Sequence, residues 1–124
     1  MYKYFNNNPL GRNTAGDCAV RAVSKALDIS WDEAHDMLSL MSKDMGTVMN
    51  DNDVIGAVLR MNGFYKENLP CVRGDCYSVK EFAIDNPVGT YVVGTGNHVV
   101  AIIDGDYYDS WPSGDESIIY FWVK

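Results

Sequence analysis

Long apolar runs are missing from this chain, and so are the other marks of a membrane or secreted protein. The apolar stretch Val99-Val100-Ala101-Ile102-Ile103 in the C-terminal half covers 5 residues, against the roughly 20 a spanning helix needs. No membrane partner is expected. Met1 to Pro9 holds one cation, Lys3, and three successive amides, Asn6, Asn7 and Asn8, with no apolar core of a signal peptide; the expected compartment is the cytoplasm. Cations are sparse as well: 10 Lys and Arg stand against 17 Asp and Glu, for a net charge of −7 at pH 7, and they are scattered. Such a surface repels a phosphate backbone, so nucleic acid is not an expected partner. Cysteine is scarce and odd in number, with Cys18, Cys71 and Cys76 only. That argues against a disulfide framework and leaves at least one thiol to account for. Histidine is scarcer still. Chemistry that needs an imidazole must use His35 or His98.

What is present suffices for one folded domain over residues 1–124. With 47% hydrophobic residues and no low-complexity tract, a chain of this size buries roughly two-thirds of its unfolded surface. Tyr2-Lys3-Tyr4-Phe5 reads as a short edge strand, and Gly11 to Asp17 as a loop. Ala19, Val20, Val23, Ala26 and Leu27 then recur at the spacing of one buried helix face. Asp17 stands at the N-cap position of that helix, which puts Cys18 in its first turn. Ser30 and Glu33 have capping-box spacing ahead of the apolar positions Trp31, Ala34, Leu38 and Met41. Asp51 or Asn52 caps a third helix running to Met61 and stopped by Gly63; Ser78 and Glu81 open a shorter one that ends before Pro87. Lys66 to Tyr77 reads as a long connection.

From Gly89 the chain turns β-rich. Thr90 to Thr95 and His98 to Ile103 flank Gly96-Asn97, a two-residue hairpin signal. Asp104-Gly105 leads into Asp106 to Ser110, and Ile118 to Val123 makes a fourth strand. Helices come first and an antiparallel meander follows, so the expected class is α+β.

Cys18 is the thiol in an informative place. The first turn of a helix offers free N–H groups and the positive end of the macrodipole, both of which favour thiolate. His98 follows a tight turn and precedes a run that reads as a central strand, so its ring stands at the sheet rim, where a helix start can meet it. His35, between Ala34 and Asp36, reads as a solvated surface residue. Asp109 comes 11 residues after His98 on the next strand. Neighbouring strands lie about 4.8 Å apart, so a carboxylate there reaches the far ring nitrogen and fixes its tautomer. Asp106 and Asp104 compete for this role, though Asp104 is better used in the turn.

Gly16-Asp17-Cys18 opening an apolar helix, His98 before Val99-Val100-Ala101-Ile102, and Asp109-Ser110-Trp111 together resemble the papain-like cysteine peptidases. In size and style the chain is most similar to the bacteriocin-leader (double-glycine) peptidases and to small papain-like proteins of bacteria and phages. The resemblance runs from Gly11 to Trp111 in element order. It implies a papain-like fold, with the helix carrying the cysteine first and the helices packed on a C-terminal antiparallel sheet. It implies a triad of Cys18, His98 and Asp109, with Trp111 shielding the His98–Asp109 bond as the tryptophan of papain's Asn-Ser-Trp does. Papain-like enzymes complete the oxyanion hole with a glutamine six residues before the cysteine. Arg12 holds that place here, and Asn13, the next residue, has the amide donor; Arg12 or a backbone N–H are the alternatives. The implied activity is a thiol hydrolase acting on a peptide or protein substrate through a thioester, with no cofactor. Deamidation and transglutamination use the same apparatus.

Two other readings use overlapping residues. Cys71 and Cys76 form a C-x4-C pair that with Cys18 and His98 makes a Cys3His zinc set. A catalytically inactive relative would instead bind a partner through the aromatic C-terminal region, Tyr107, Tyr108, Trp111, Tyr120 and Trp122. Strand propensity alone explains the same aromatics as core and sheet surface.

Overall fold

The helix starts obey their capping residues. Glu33 N–H donates to the Ser30 hydroxyl at 3.0 Å while Ser30 N–H donates back to Glu33 Oε1 at 3.3 Å, and Ser78 with Glu81 repeats the exchange at 3.1 and 3.0 Å. Each box satisfies two backbone donors that a helix start leaves without partners. Asp51 caps the third helix by accepting from Asp53 N–H at 2.9 Å. The computed structural model describes residues 1–69 and 77–124. The elements in order are β1 (Tyr2–Tyr4), α1 (Cys18–Leu27), α2 (Trp31–Met45), α3 (Asn52–Met61), β2 (Tyr65–Asn68), α4 (Val79–Asp85), β3 (Thr90–Gly94), β4 (Val99–Ile103), β5 (Asp106–Asp109) and β6 (Tyr120–Val123). The class is α+β, and among the described residues no helix is long and apolar enough to cross a membrane.

The strands form one six-stranded sheet in the order β1-β5-β4-β3-β6-β2. Its centre is the expected antiparallel meander of β3, β4 and β5. The rest corrects the sequence-based expectation. The last strand does not lie beside β5; β6 crosses to the far side of β3, pairing Gly94 with Tyr120 and Val92 with Trp122. The sheet is mixed, because β1 runs parallel to β5, with Tyr2 opposite Tyr107. A further strand, β2, pairs antiparallel with β6 inside the stretch read as connection. All four of its residues are exposed, so it carries no apolar alternation to betray it.

Alternation along the central strands builds a core on each face. Val92, Val99, Ala101 and Trp122 join α1, α2 and α3 through Val23, Leu38, Val54 and Leu59. Val93, Val100 and Ile102 turn the other way, against Val79, Phe82 and Ala83 of α4. Buried on both faces, β3 and β4 therefore read as apolar runs. At Gly94 the close approach of β6 decides the residue: a Cβ there would fall within the Tyr120 ring. Gly94→Ala is expected to destabilise the fold by about 1–3 kcal/mol through overpacking, seen as a lower urea midpoint with an unchanged slope.

Two turns and an edge strand place the residues of interest. Thr95 N–H donates to the His98 carbonyl at 2.8 Å, closing the tight turn through Gly96 and Asn97 and setting His98 at the head of β4. Asp104 and Gly105 both take positive φ, 49° and 83°, the twist that a two-residue hairpin demands. At the other edge, Phe5 N–H donates to the Asp109 carbonyl at 2.8 Å and the Tyr2 hydroxyl to the same oxygen at 3.1 Å. These bonds anchor the end of β5.

Candidate active site

Asp17 occupies the N-cap position of α1, but its side chain does not cap the helix. Its carboxylate accepts instead from Arg21 Nε at 3.0 Å, from Trp31 Nε1 at 2.9 Å and from Asn8 Nδ2 at 3.2 Å. The capping expectation is corrected by this competition: a buried guanidinium one turn on is a stronger partner than a backbone amide. As a result the amide donors at the start of α1, where Cys18 stands, have no cap from Asp17. An uncapped helix start favours negative charge beside it.

His98 sits between Cys18 and Asp109. Its Nε2 lies 2.6 Å from Asp109 Oδ2, and the remaining ring nitrogen, Nδ1, is the one left to engage the thiol. Asp109 is 1% exposed, and all four lone-pair positions of its carboxylate are engaged. Arg21 Nη1 donates to Oδ1 at 2.9 Å and Ser110 N–H to the same oxygen at 2.8 Å. Ser113 donates its hydroxyl to Oδ2 at 2.6 Å, alongside the imidazole. A carboxylate accepts about four such bonds. Asp109 is full.

The electrostatics follow from these partners. Burial opposes charge on Asp109, but the bonds from His98, Ser113 and Arg21 outweigh it and hold the carboxyl below its ordinary range. Burial likewise works against the imidazolium, yet Asp109 and Cys18, as hydrogen-bond partners and as charges, lift His98 to about 9. Burial pushes the Cys18 thiol up, while the His98 bond, the Val99 backbone N–H and the charges of His98 and Arg21 bring it below its usual value. The opposed shifts of the two neighbours have one cause, since a thiolate on Cys18 and an imidazolium on His98 each favour the other. The thiol of Cys18 remains partly exposed and so reachable.

Arg21 was not singled out by the sequence. At 6% exposure it bridges Asp17 on its own helix and Asp109 on β5, tying the helix that carries the thiol to the strand that orients the base. One signal was available. Asp17 and Arg21 are four apart, the spacing at which opposite charges meet on one helix face. Ser113 gave no signal, because a serine just past a strand is ordinary loop chemistry.

The structure brings Cys18, His98, Asp109 and Trp111 together. The Trp111 ring centroid lies 5.1 Å from that of His98, tilted by 42°, and Trp111 stays 42% exposed. Asn13 is not brought in: it is exposed in the loop before α1 and does not line the cleft of about 230 Å³ that opens over the thiol. The amides that do line this cleft are Asn50, Asn52 and Asn97. His35 stands apart, stacked on Trp31 at 5.0 Å rather than fully solvated. Of the aromatics weighed as a binding surface, Tyr107, Tyr120 and Trp122 are buried in the cores. Cys71 and Cys76 lie outside the described residues. Among the described residues no cluster of three His, Cys, Asp or Glu is set to hold a metal ion.

Compared with models of known protein families, with curated proteins and with solved structures, the chain matches none. What the site can do rests on its own geometry.

Proposed function

We propose that this protein is a thiol hydrolase of papain-like architecture, acting on an amide or ester bond of a peptide or protein. The observation that carries the reading is a single imidazole with one nitrogen 2.6 Å from a buried, saturated carboxylate and the other left for a thiol at a helix start. That arrangement suits an activated nucleophile with an oriented base.

The steps follow from the protonation states. Cys18 thiolate attacks the carbonyl carbon, and the carbonyl oxygen takes up negative charge near the uncapped amides of α1. The bond to the leaving amine or alcohol breaks as His98 Nδ1 gives that group its proton, leaving a thioester on Cys18. Water then attacks the thioester carbonyl and passes a proton to His98. The C–S bond breaks, releasing the carboxylic acid and restoring the thiolate–imidazolium pair. Asp109 keeps its negative charge throughout and stabilises the imidazolium. An amine in place of water makes the same site a transamidase, and a glutamine side chain as substrate makes it a deamidase.

The test is a pool of tryptic peptides incubated with wild type and with Cys18→Ser, the products read by mass spectrometry. New termini, or glutamine converted to glutamate, are expected with wild type alone. An unchanged pool, together with no Cys18 adduct from a peptide aldehyde, would contradict the reading. The pH profile of any activity found should fall on its basic side at about 9, where His98 loses the proton it must give to the leaving group. An activity that keeps rising beyond that pH would assign the acid to another residue.

A further inference from the structure

A second cavity, of about 230 Å³, adjoins the thiol cleft, and Asn52 walls both. The orientation of Asn52 is set from behind. Its Oδ1 accepts from the Tyr120 hydroxyl at 2.9 Å, and the Tyr120 ring packs over the bare backbone of Gly94. With the oxygen tied back, the Nδ2 donor is the end of the amide left for an occupant.

Arg60 and Lys66 line the same cavity. Both are braced by its aromatic floor: the Arg60 guanidinium lies 5.2 Å from the Trp122 ring centroid and Lys66 Nζ 4.7 Å from that of Tyr120. The ion pairs among the described residues involve Met1, Arg21, Lys80 and His98; neither Arg60 nor Lys66 is in one. Among the described residues Asp53 is the single carboxylate lining the cavity. In a chain of net charge −7, two braced cations and an amide donor beside the thiol are a local reversal of sign.

Building on the thiol-hydrolase reading, we propose that this cavity binds a carboxylate side chain of the substrate, so that a glutamate or aspartate stands one residue removed from the bond cleaved. A carboxylate matches all three donors. A lysine side chain would meet two like charges, and an apolar one would leave the Asn52 amide without an acceptor.

Three chloromethyl ketones test this: acetyl-glutamyl-glycyl, acetyl-glutaminyl-glycyl and acetyl-lysyl-glycyl. Their rates of Cys18 labelling are read by mass spectrometry and divided, within each protein, by the rate for iodoacetamide. The glutamyl reagent is expected to exceed the lysyl one by about tenfold in wild type, the scale of two partly exposed charge contacts. Added salt should shrink that preference. In the doubly substituted Arg60→Gln, Lys66→Gln protein it should fall to about twofold or less; both positions are exposed, and an unchanged circular dichroism spectrum checks the fold. Equal normalised rates in wild type, a lysyl preference, or a glutamyl preference that survives the double substitution overturns the carboxylate site. Any of these with fast iodoacetamide labelling of Cys18 leaves the thiol hydrolase standing, whereas slow labelling of wild-type Cys18 by iodoacetamide overturns the hydrolase itself.

Discussion

Replacing His98 by alanine is expected to slow alkylation of Cys18 at pH 6 by about 30- to 100-fold. An ordinary thiol, with a pKa of about 8.5, is well under 1% thiolate at that pH, and only the thiolate reacts. In wild type Cys18 is held below its usual value and His98 is raised to about 9, so on the proposed reading the thiolate persists beside the imidazolium where an unassisted thiol would be protonated. Without His98, burial is left to push the thiol upward against only the Val99 N–H and the more distant Arg21 charge. The ratio is smaller than the gain in thiolate alone, because intrinsic nucleophilicity falls as a thiol becomes more acidic. Limiting iodoacetamide, with Cys18, Cys71 and Cys76 quantified separately by mass spectrometry, reads the effect against two internal references. Equal labelling of Cys18 in both proteins would mean that the imidazole does nothing for the sulfur. Asp109 keeps three of its four partners in His98→Ala, so the fold should hold.

Arg21→Met carries the largest expected cost in stability, about 3–5 kcal/mol, the range for removing one partner of a buried ion pair. Both Asp17 and Asp109 lose a bond near 3 Å in that variant, and the side chain that replaces it has no donor. Against the roughly 5–15 kcal/mol that a domain possesses in total, such a loss brings the chain close to unfolding. The pH dependence has a definite sign. Asp17 and Asp109 are both held below the ordinary carboxyl value, each against the pull of burial, by hydrogen bonds that include Arg21. Groups lowered in this way contribute stability above their unfolded pKa, about 3.9, and lose it as pH falls through the folded value. The deficit of Arg21→Met should therefore be greatest near neutral pH and shrink in acid, as protonation removes the uncompensated charges. Arg21→Lys should fall between the two, because one ammonium cannot reproduce the fork that reaches Asp17 through Nε and Asp109 through Nη1. Urea unfolding from about pH 2 to pH 7 measures all three proteins across that window. A Met variant as stable as wild type at neutral pH would show that the bridge adds nothing.

The parts of the molecule legible in its sequence are those fixed by short-range rules. Capping boxes at Ser30 and Ser78, the Gly96-Asn97 and Asp104-Gly105 turns, and the switch from helical spacing to apolar runs all depend on neighbours within a few residues. Cys18, His98 and Asp109 could be picked out because each sits at a boundary such rules mark: a helix start, a turn exit, the end of a strand. What escaped is long-range. The placing of β6 against β3 depends on Gly94 leaving room for a ring 26 positions later in the sequence, and no local pattern reports that. Polar β2 looks like loop because its pairing with β6 supplies backbone bonds rather than burial. Asp17 was correctly placed at the helix start and its role misjudged, since local spacing suggests a cap and only the folded chain reveals Arg21 as the competing partner. Asn13 has the chemistry and the spacing from Cys18 for an oxyanion donor, but the loop that carries it leaves its side chain outside the cleft.

The most direct measurement of the thiolate–imidazolium pair is the ultraviolet thiolate absorbance of wild type minus that of Cys18→Ser, followed as a function of pH. The difference isolates one sulfur from Cys71 and Cys76. A thiolate signal already present at neutral pH, extending below the range of an ordinary cysteine and lost when His98→Ala supplies the background, is the predicted result. A signal that emerges only near pH 8.5 or above, the same with and without His98, would contradict it.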